Sequence, residues 1–219
     1  MTLRVLTWNL MHGRSRPPAG RELLDEFVAA LSAWRWDVAL LQEVPPWWPA
    51  PMGRALGADH RLVLTSRNAL LPLRRAIAIR RPDLIKSNGG GCNAILLREG
   101  SIVEHRTRRL CWWPERRWMH AIRTSALWIG NLHTGHDDAA ILRDSRRAAT
   151  TLLEWANGAP AVLGGDFNLR PFRLAGFGFA CGNGVDLVFA RGLEAHGEAE
   201  VLERGSLSDH APVAVELRG

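Results

Sequence analysis

Gly165-Asp166-Phe167-Asn168 sets a carboxylate and an amide two positions apart, and some forty residues later Ser208-Asp209-His210 adds a hydroxyl, a second carboxylate and an imidazole. These are the groups that a metal-assisted attack on a phosphate ester uses. Each motif is weak alone. Asn9 and Glu43 end two earlier hydrophobic runs, and with them the set points to phosphodiester or phosphomonoester hydrolysis. In that reading Asp166 orients or deprotonates the attacking water, and Asn168 holds the water or a phosphate oxygen. His210 and His133 donate to the phosphate, with Asp186 a candidate carboxylate behind an imidazole, fixing its tautomer and favouring its protonated form. Glu43, Asp209 and the amide oxygen of Asn9 are suitable ligands for a hard cation such as Mg2+. Zinc would recruit more histidine or cysteine, and Cys92, Cys111 and Cys181 stand away from the motifs.

Each of these groups follows, or lies at the edge of, an apolar run. Leu3 to Trp8 reads as a strand ending at Asn9, Glu22 to Leu31 as an amphipathic helix, and Asp37 to Leu41 as a buried strand ending at Gln42-Glu43. Met52 to Leu56 reads as a short helix, Arg61 to Thr65 as a strand, Leu73 to Ile79 as an alternating strand, and Gly89-Gly90-Gly91 as a tight turn into a strand from Cys92 to Leu97. That glycine run lacks the Gly-Lys-Ser/Thr ending of a nucleotide-binding loop. Strands are expected over Ile102 to Cys111, Met119 to Ile129, Ala161 to Leu163, Val185 to Ala190, Glu198 to Leu202 and Ala211 to Leu217, with an amphipathic helix over Asp138 to Ala156. Many strands and few helices predict an α+β sandwich of two sheets packed face to face with helices outside. Polar residues at strand ends then converge on one rim, Asn131 with His133 among them.

The chain has 219 residues, 47% of them hydrophobic and 23% charged, which predicts one globular domain and excludes disordered and coiled-coil classes. The net charge of +6 is almost entirely arginine, since Lys86 is the lone lysine. It suits a polyanionic substrate, and it equally suits a codon bias with no functional meaning. Arg108, Arg109 and Trp112, in a stretch where arginines interleave with Trp112, Trp113 and Trp118, are the candidate substrate contacts, together with Asn131. The tryptophan clusters, Trp47-Trp48 included, also read as loop packing. An odd cysteine number without motif spacing argues against a disulfide framework. No signal-peptide pattern opens the chain and no apolar stretch approaches a bilayer span, so a cytoplasmic monomer is expected. No serine stands in a Gly-X-Ser-X-Gly elbow, so a serine triad has little support. His12, His60, His105, His120, His136 and His196 share no ligand spacing and read as surface or turn residues, His12 and His136 being neighbours of the site.

Taken in order, Thr7-Trp8-Asn9, Leu41-Gln42-Glu43, Asn131-Leu132-His133, Gly165 to Asn168, Val185 to Val188 and Ser208-Asp209-His210 resemble the endonuclease/exonuclease/phosphatase superfamily. That group includes pancreatic-type DNases, abasic-site endonucleases, inositol polyphosphate 5-phosphatases and bacterial sphingomyelinases. The resemblance implies a four-layer sandwich with a Mg2+ or Mn2+ site at one end. It implies metal or metal-shell positions for Asn9, Glu43 and Asp209, and water and phosphate positions for Asp166 and Asn168. His210 matches the phosphate-contacting histidine, Asp186 its carboxylate partner, and His133 a second histidine whose own partner the sequence does not reveal. A nuclease acting on DNA or RNA is the leading expectation. The alternatives are a phosphodiesterase or phosphatase on a small-molecule, inositol-phosphate-like or phospholipid substrate, and a non-catalytic phosphate-binding module.

Overall fold

The computed structural model describes residues 1–65, 68–84, 91–113 and 115–219. One six-stranded sheet contains β1 (Thr2–Asn9), β2 (Val38–Val44), β3 (Asp59–Leu64), β4 (Cys92–Leu97), β11 (Glu194–Val201) and β12 (Val213–Arg218), in the order β11-β12-β1-β2-β4-β3. The other contains β5 (Glu104–Cys111), β6 (Arg117–Arg123), β7 (Trp128–His133), β8 (Ala161–Asp166), β9 (Gly178–Asn183) and β10 (Asp186–Arg191), in the order β5-β6-β7-β8-β10-β9. Helices α1 (Leu24–Ala33) and α2 (Pro49–Leu56) cover the outer face of the first sheet, where Trp8, Phe27, Trp48 and Met52 share one buried cluster. Helix α4 (Asp138–Ala156) covers the second through Leu152, packed with Met119, Leu132 and Leu163. The result is the expected sandwich of two mixed sheets flanked by helices.

The inner strands β1, β2, β4, β7, β8 and β10 are buried on both faces, which explains their near-continuous apolar runs, whereas β3, β5, β9 and β11 are largely exposed or half-buried. Along β1, Val5 faces the inter-sheet core while Leu6 faces the helices; along β2, Val38 and Leu40 face inward while Ala39 and Leu41 face out. This two-residue period carries the inward face from apolar to polar at one end of the sandwich. The inward series runs Val5, Thr7, Asn9 on β1; Val38, Leu40, Gln42 on β2; Ile129, Asn131, His133 on β7; Val162, Gly164, Asp166 on β8; and, reversed in direction, Ala190, Val188, Asp186 on β10. Register does the rest. Asn9 pairs with Gln42 across β1 and β2, His133 with Asp166 across β7 and β8, and Asp166 with Asp186 across β8 and β10.

Several elements depart from the sequence reading. Leu73 to Ile79 belongs to helix α3 (Leu71–Arg80), not a strand, because Pro72 opens a helix readily and the leucines, arginines and alanines that follow are strong helix formers. Met119 to Ile129 divides between β6 and β7, with a tight turn at Thr124 to Leu127. β11 starts earlier than Glu198 and no strand was expected at β9, whose glycines and weak alternation hide it. Of the Gly89-Gly90-Gly91 turn, Gly89 and Gly90 lie outside the described residues, as does Pro114 of the second tryptophan cluster.

Gly165 is fixed by sterics. Its φ is 140°, and a Cβ built on it would stand 2.0 Å from the backbone oxygen of Leu132 on the neighbouring parallel strand. Relief would require moving β7 away from β8, and with it His133 from Asp166. Gly165→Ala is therefore expected to lower unfolding free energy by on the order of 3 kcal/mol, read as a lower denaturant midpoint with an unchanged slope.

Candidate active site

Above the last inward layer lies a cavity of about 350 Å³ lined by Asn9, Glu43, His133, Asp166, Asn168, Asp209 and His210, with His12, Arg14, Arg16 and Asp83 among the residues at its walls. Its floor is tightly bonded. Asp166, buried at the end of β8, accepts from Asn9 Nδ2 at 2.8 Å and from the Asn168 backbone N–H at 2.9 Å, and His133 Nε2 lies 3.5 Å from the same carboxylate. Asp166 is thus the carboxylate nearest His133, the partner that sequence alone left open. Asn9 Oδ1 accepts from the Met11 backbone N–H, and Asn168 Nδ2 donates to the Thr134 carbonyl. Ser208 Oγ donates to the Asn9 carbonyl at 2.6 Å and accepts from the His210 N–H at 3.1 Å, which ties the Ser-Asp-His segment to the end of β1.

Backbone strain is concentrated here. Met11, His12, Glu43 and Asn168 line the cavity with positive φ, 50° at both Glu43 and Asn168, and Ser208 beneath it has φ 60°. Non-glycine residues in this region cost about 1–3 kcal/mol each and persist only where the surroundings hold them. At Glu43 the reason is visible: the β2 to β4 register shifts between Leu41 and Val44, and this bulge turns Glu43 to the cavity wall.

Four carboxylates shape the electrostatics. Burial raises the Glu43 pKa, and the charges of Asp166 and Asp209 raise it further against the opposing pull of Arg117 and His210. His12 Nε2 approaches Glu43 Oε2 at 3.2 Å, and Arg16 reaches Asp209 at 2.5 Å from an exposed position where a single ion pair contributes little. Asp186 Oδ2 lies 2.7 Å from His210 Nδ1. Burial pushes Asp186 up to about 6 despite that bond. For His210, burial acts downward but is outweighed by the Asp186 hydrogen bond and the charges of Asp186, Asp166 and Asp209, which carry it to about 9. The pair holds one proton, resident on the His210 imidazole. His133 is the opposite case: burial, then the nearby Arg117, His12, His136 and His210, hold it well below the ordinary imidazole range, so it is neutral.

Asp166, Asp186 and His210 bring potential ligand atoms within 4.8 Å of one another, a cluster compatible with a divalent cation. Within it Asp186 Oδ2 and His210 Nδ1 are already bonded to each other. Glu43 and Asp209, partly exposed at the cavity wall, are the carboxylates open to a hydrated ion.

The structure brings together eight of the sequence candidates, Asn9, Glu43, His133, Asp166, Asn168, Asp186, Asp209 and His210, with Asp186 directly behind His210. The other four stand apart. Asn131 is fully buried between the sheets, where Nδ2 donates to the Leu41 and Ala94 carbonyls and Oδ1 accepts from Gln42; it bolts the sheets together and is not a substrate contact. Arg108 and Arg109 lie on edge strand β5 and Trp112 just beyond it, outside the cavity lining, with Arg109 stacked over Trp112. Of the tryptophans, Trp48 is core, whereas Trp112 and Trp113 are exposed. His120 is no surface histidine: it is buried 3.2 Å from His105. Arg117 escaped notice among its neighbouring arginines. It is buried at the start of β6, paired with Glu115 at 2.5 Å, with Nε lacking a hydrogen-bond partner among the described residues, and its charge is felt by both Glu43 and His133. No signal in the sequence separates it from Arg116 beside it.

Residues 6–210 match the endonuclease/exonuclease/phosphatase family. The chain belongs to it. No curated protein matches in sequence. Among solved structures, an endonuclease/exonuclease/phosphatase from Beutenbergia cavernae is similar, with 17% identity and a TM-score of 0.75 over 99% of this chain and 71% of that one. A mannosyl-6-phosphatase from Bacteroides thetaiotaomicron shares 19% identity with a TM-score of 0.71 over 98% and 99% of the two chains. TDP2 from Caenorhabditis elegans shares 15% with a TM-score of 0.68 over 100% and 75%. At these identities the likeness is one of fold.

The Asp186 and His210 pair makes a prediction about protonation. In metal-free protein His210 should titrate near pH 9 by imidazole NMR, staying cationic throughout the neutral range. In Asp186→Asn the hydrogen bond to a charged partner is lost while burial remains, so the His210 pKa should move down towards or below the ordinary value of 6.5. An unchanged titration would mean that Asp186 does not hold the charge.

Proposed function

We propose that this family member hydrolyses a phosphate ester of a small molecule by direct attack of water. The observation that carries this reading is the cavity itself: about 350 Å³, with carboxylates, amides and an imidazolium on its walls, while the arginine and tryptophan stretch expected to hold nucleic acid lies outside it. Arg106 and Arg123 of that stretch pair with Glu104, and Arg109 stacks on indoles, so part of its charge is already compensated. The mannosyl-6-phosphatase among the similar folds is consistent with a small substrate.

In this mechanism Asp166 accepts the proton of the attacking water, its orientation fixed by Asn9 and by the Asn168 N–H. Asn168, on the cavity wall, holds the water or a phosphoryl oxygen by its side chain. The new P–O bond forms as the ester P–O bond breaks and the leaving oxygen takes a proton from solvent water to depart as the alcohol, while His210, kept cationic by Asp186, donates to a phosphoryl oxygen as negative charge accumulates. His133, neutral and beside Asp166, orients that carboxylate. Glu43, Asp209 and the Asn9 amide oxygen would hold a divalent ion, and their fit rests on the crowding of carboxylates that raises Glu43. All three donors are oxygen, which suits Mg2+ or Mn2+. Such an ion supplies Lewis-acid neutralisation of the phosphoryl oxygens.

Hydrolysis of p-nitrophenyl phosphate and bis-p-nitrophenyl phosphate should require Mg2+ or Mn2+ and fall about 100-fold or more in Asp166→Asn, with little dependence on ionic strength. Nicking of supercoiled DNA that is faster than either reaction and collapses as salt rises would return the nuclease reading.

A further inference from the structure

Helix α3 is the physical anomaly of the molecule: none of its residues is buried. Leu70, Leu73, Ile77 and Ile79, with Leu84 just beyond the helix, are between 37% and 74% exposed. Leu73 and Ile77 are one helical turn apart and both exposed, with Leu70 at the left-handed N-cap before them and Ile79 on another side of the helix. Interleaved with them are Arg74, Arg75, Arg80 and Arg81, and no acidic residue occurs from 68 to 82. The helix ends at the catalytic mouth, since Asp83 lines the cavity and accepts from the Gly20 backbone N–H at 3.0 Å, beside Arg14 and Arg16 on the same rim.

We infer that α3 is a docking element for an anionic lipid surface. Exposed aliphatic side chains interleaved with arginines on one exposed helix match an interface that is apolar inside and negatively charged outside, where arginine can lay its stem on apolar surface and keep its head polar. A polyanion such as nucleic acid would satisfy the arginines and leave five aliphatic side chains in water. A second copy docked by two-fold symmetry would set the arginines of one α3 against those of the other. Among the described residues no helix is long and apolar enough to cross a membrane, so the attachment is peripheral. It would place the catalytic mouth against the lipid headgroups. The inference stands apart from the hydrolysis proposed above, because vesicle binding needs no turnover.

The test is co-sedimentation of the full chain with vesicles of phosphatidylglycerol and phosphatidylcholine in equal parts, against vesicles of phosphatidylcholine alone. The protein should pellet with the first and not the second, and be released by high salt. Leu73→Gln with Ile77→Gln, which keeps helix propensity, should abolish pelleting. Arg75→Ala with Arg80→Ala should weaken it about fivefold per arginine removed. Thermal midpoints equal to the parent would show that both pairs fold. Wild-type protein left in the supernatant with both vesicles, or variants that pellet as it does, would overturn the proposal. So would self-association or DNA retention that depends on these residues without lipid binding.

Discussion

Repulsion among Glu43, Asp166, Asp186 and Asp209 is the constraint around which the rest of the molecule is arranged. Burial disfavours the charges of Glu43 and Asp186, and the neighbouring carboxylates of Asp166 and Asp209 raise both further. The structure meets this in two ways. Asp186 is neutralised by the His210 imidazolium, and each Asp166 oxygen accepts from one neutral donor, Asn9 or Asn168, with acceptor capacity left over. Glu43 and Asp209 face the cavity, one beside His12 and the other beside an exposed arginine. In the mechanism proposed above, a site so disposed would hold a cation, and the His210 imidazolium would meet the charge accumulating on the phosphate.

Holding such a site requires rigidity directly beneath it. One layer below the carboxylates, Gln42 Nε2 donates to Asn131 Oδ1 at 2.8 Å, and Asn131 Nδ2 reaches the Leu41 and Ala94 carbonyls, so two amides join β2, β4 and β7 across the sandwich. Removing either amide would leave buried partners unsatisfied, at about 1–3 kcal/mol for each stranded group. Below that layer the inter-sheet cluster is apolar, aliphatic but for Cys181. The gradient from apolar packing through neutral amides to charged groups lets the fold support positive φ at Glu43, Asn168 and Ser208. Gly165 belongs to the same design, because close approach of β7 and β8 is what sets His133 beside Asp166.

Much of this was legible in the sequence. Alternation along Val5, Thr7, Asn9 and along Ile129, Asn131, His133 already contains the change from apolar to polar at strand ends, and the Asp-X-Asn and Ser-Asp-His motifs fall where strands stop. What alternation cannot show is depth. Asn131 and His133 share a face two residues apart, yet one layer separates a structural bolt from a cavity wall. The bulge that aims Glu43 is a register event between two strands distant in sequence. Helix α3 was misread because Leu73, Ile77 and Ile79 fit a strand pattern as well as a helix, and no burial requirement acts on them to choose. Arg117 was hidden in a run of arginines from which only tertiary packing distinguishes it.

Titration of the metal-free protein with Mn2+, followed by electron paramagnetic resonance, tests most directly whether the carboxylate crowd exists to hold a cation. Saturable binding should weaken about tenfold or more in Glu43→Gln and in Asp209→Asn, and Mn2+ should raise the thermal midpoint of the parent more than that of either variant. Equal affinity in all three proteins, or no binding to the parent, would contradict it.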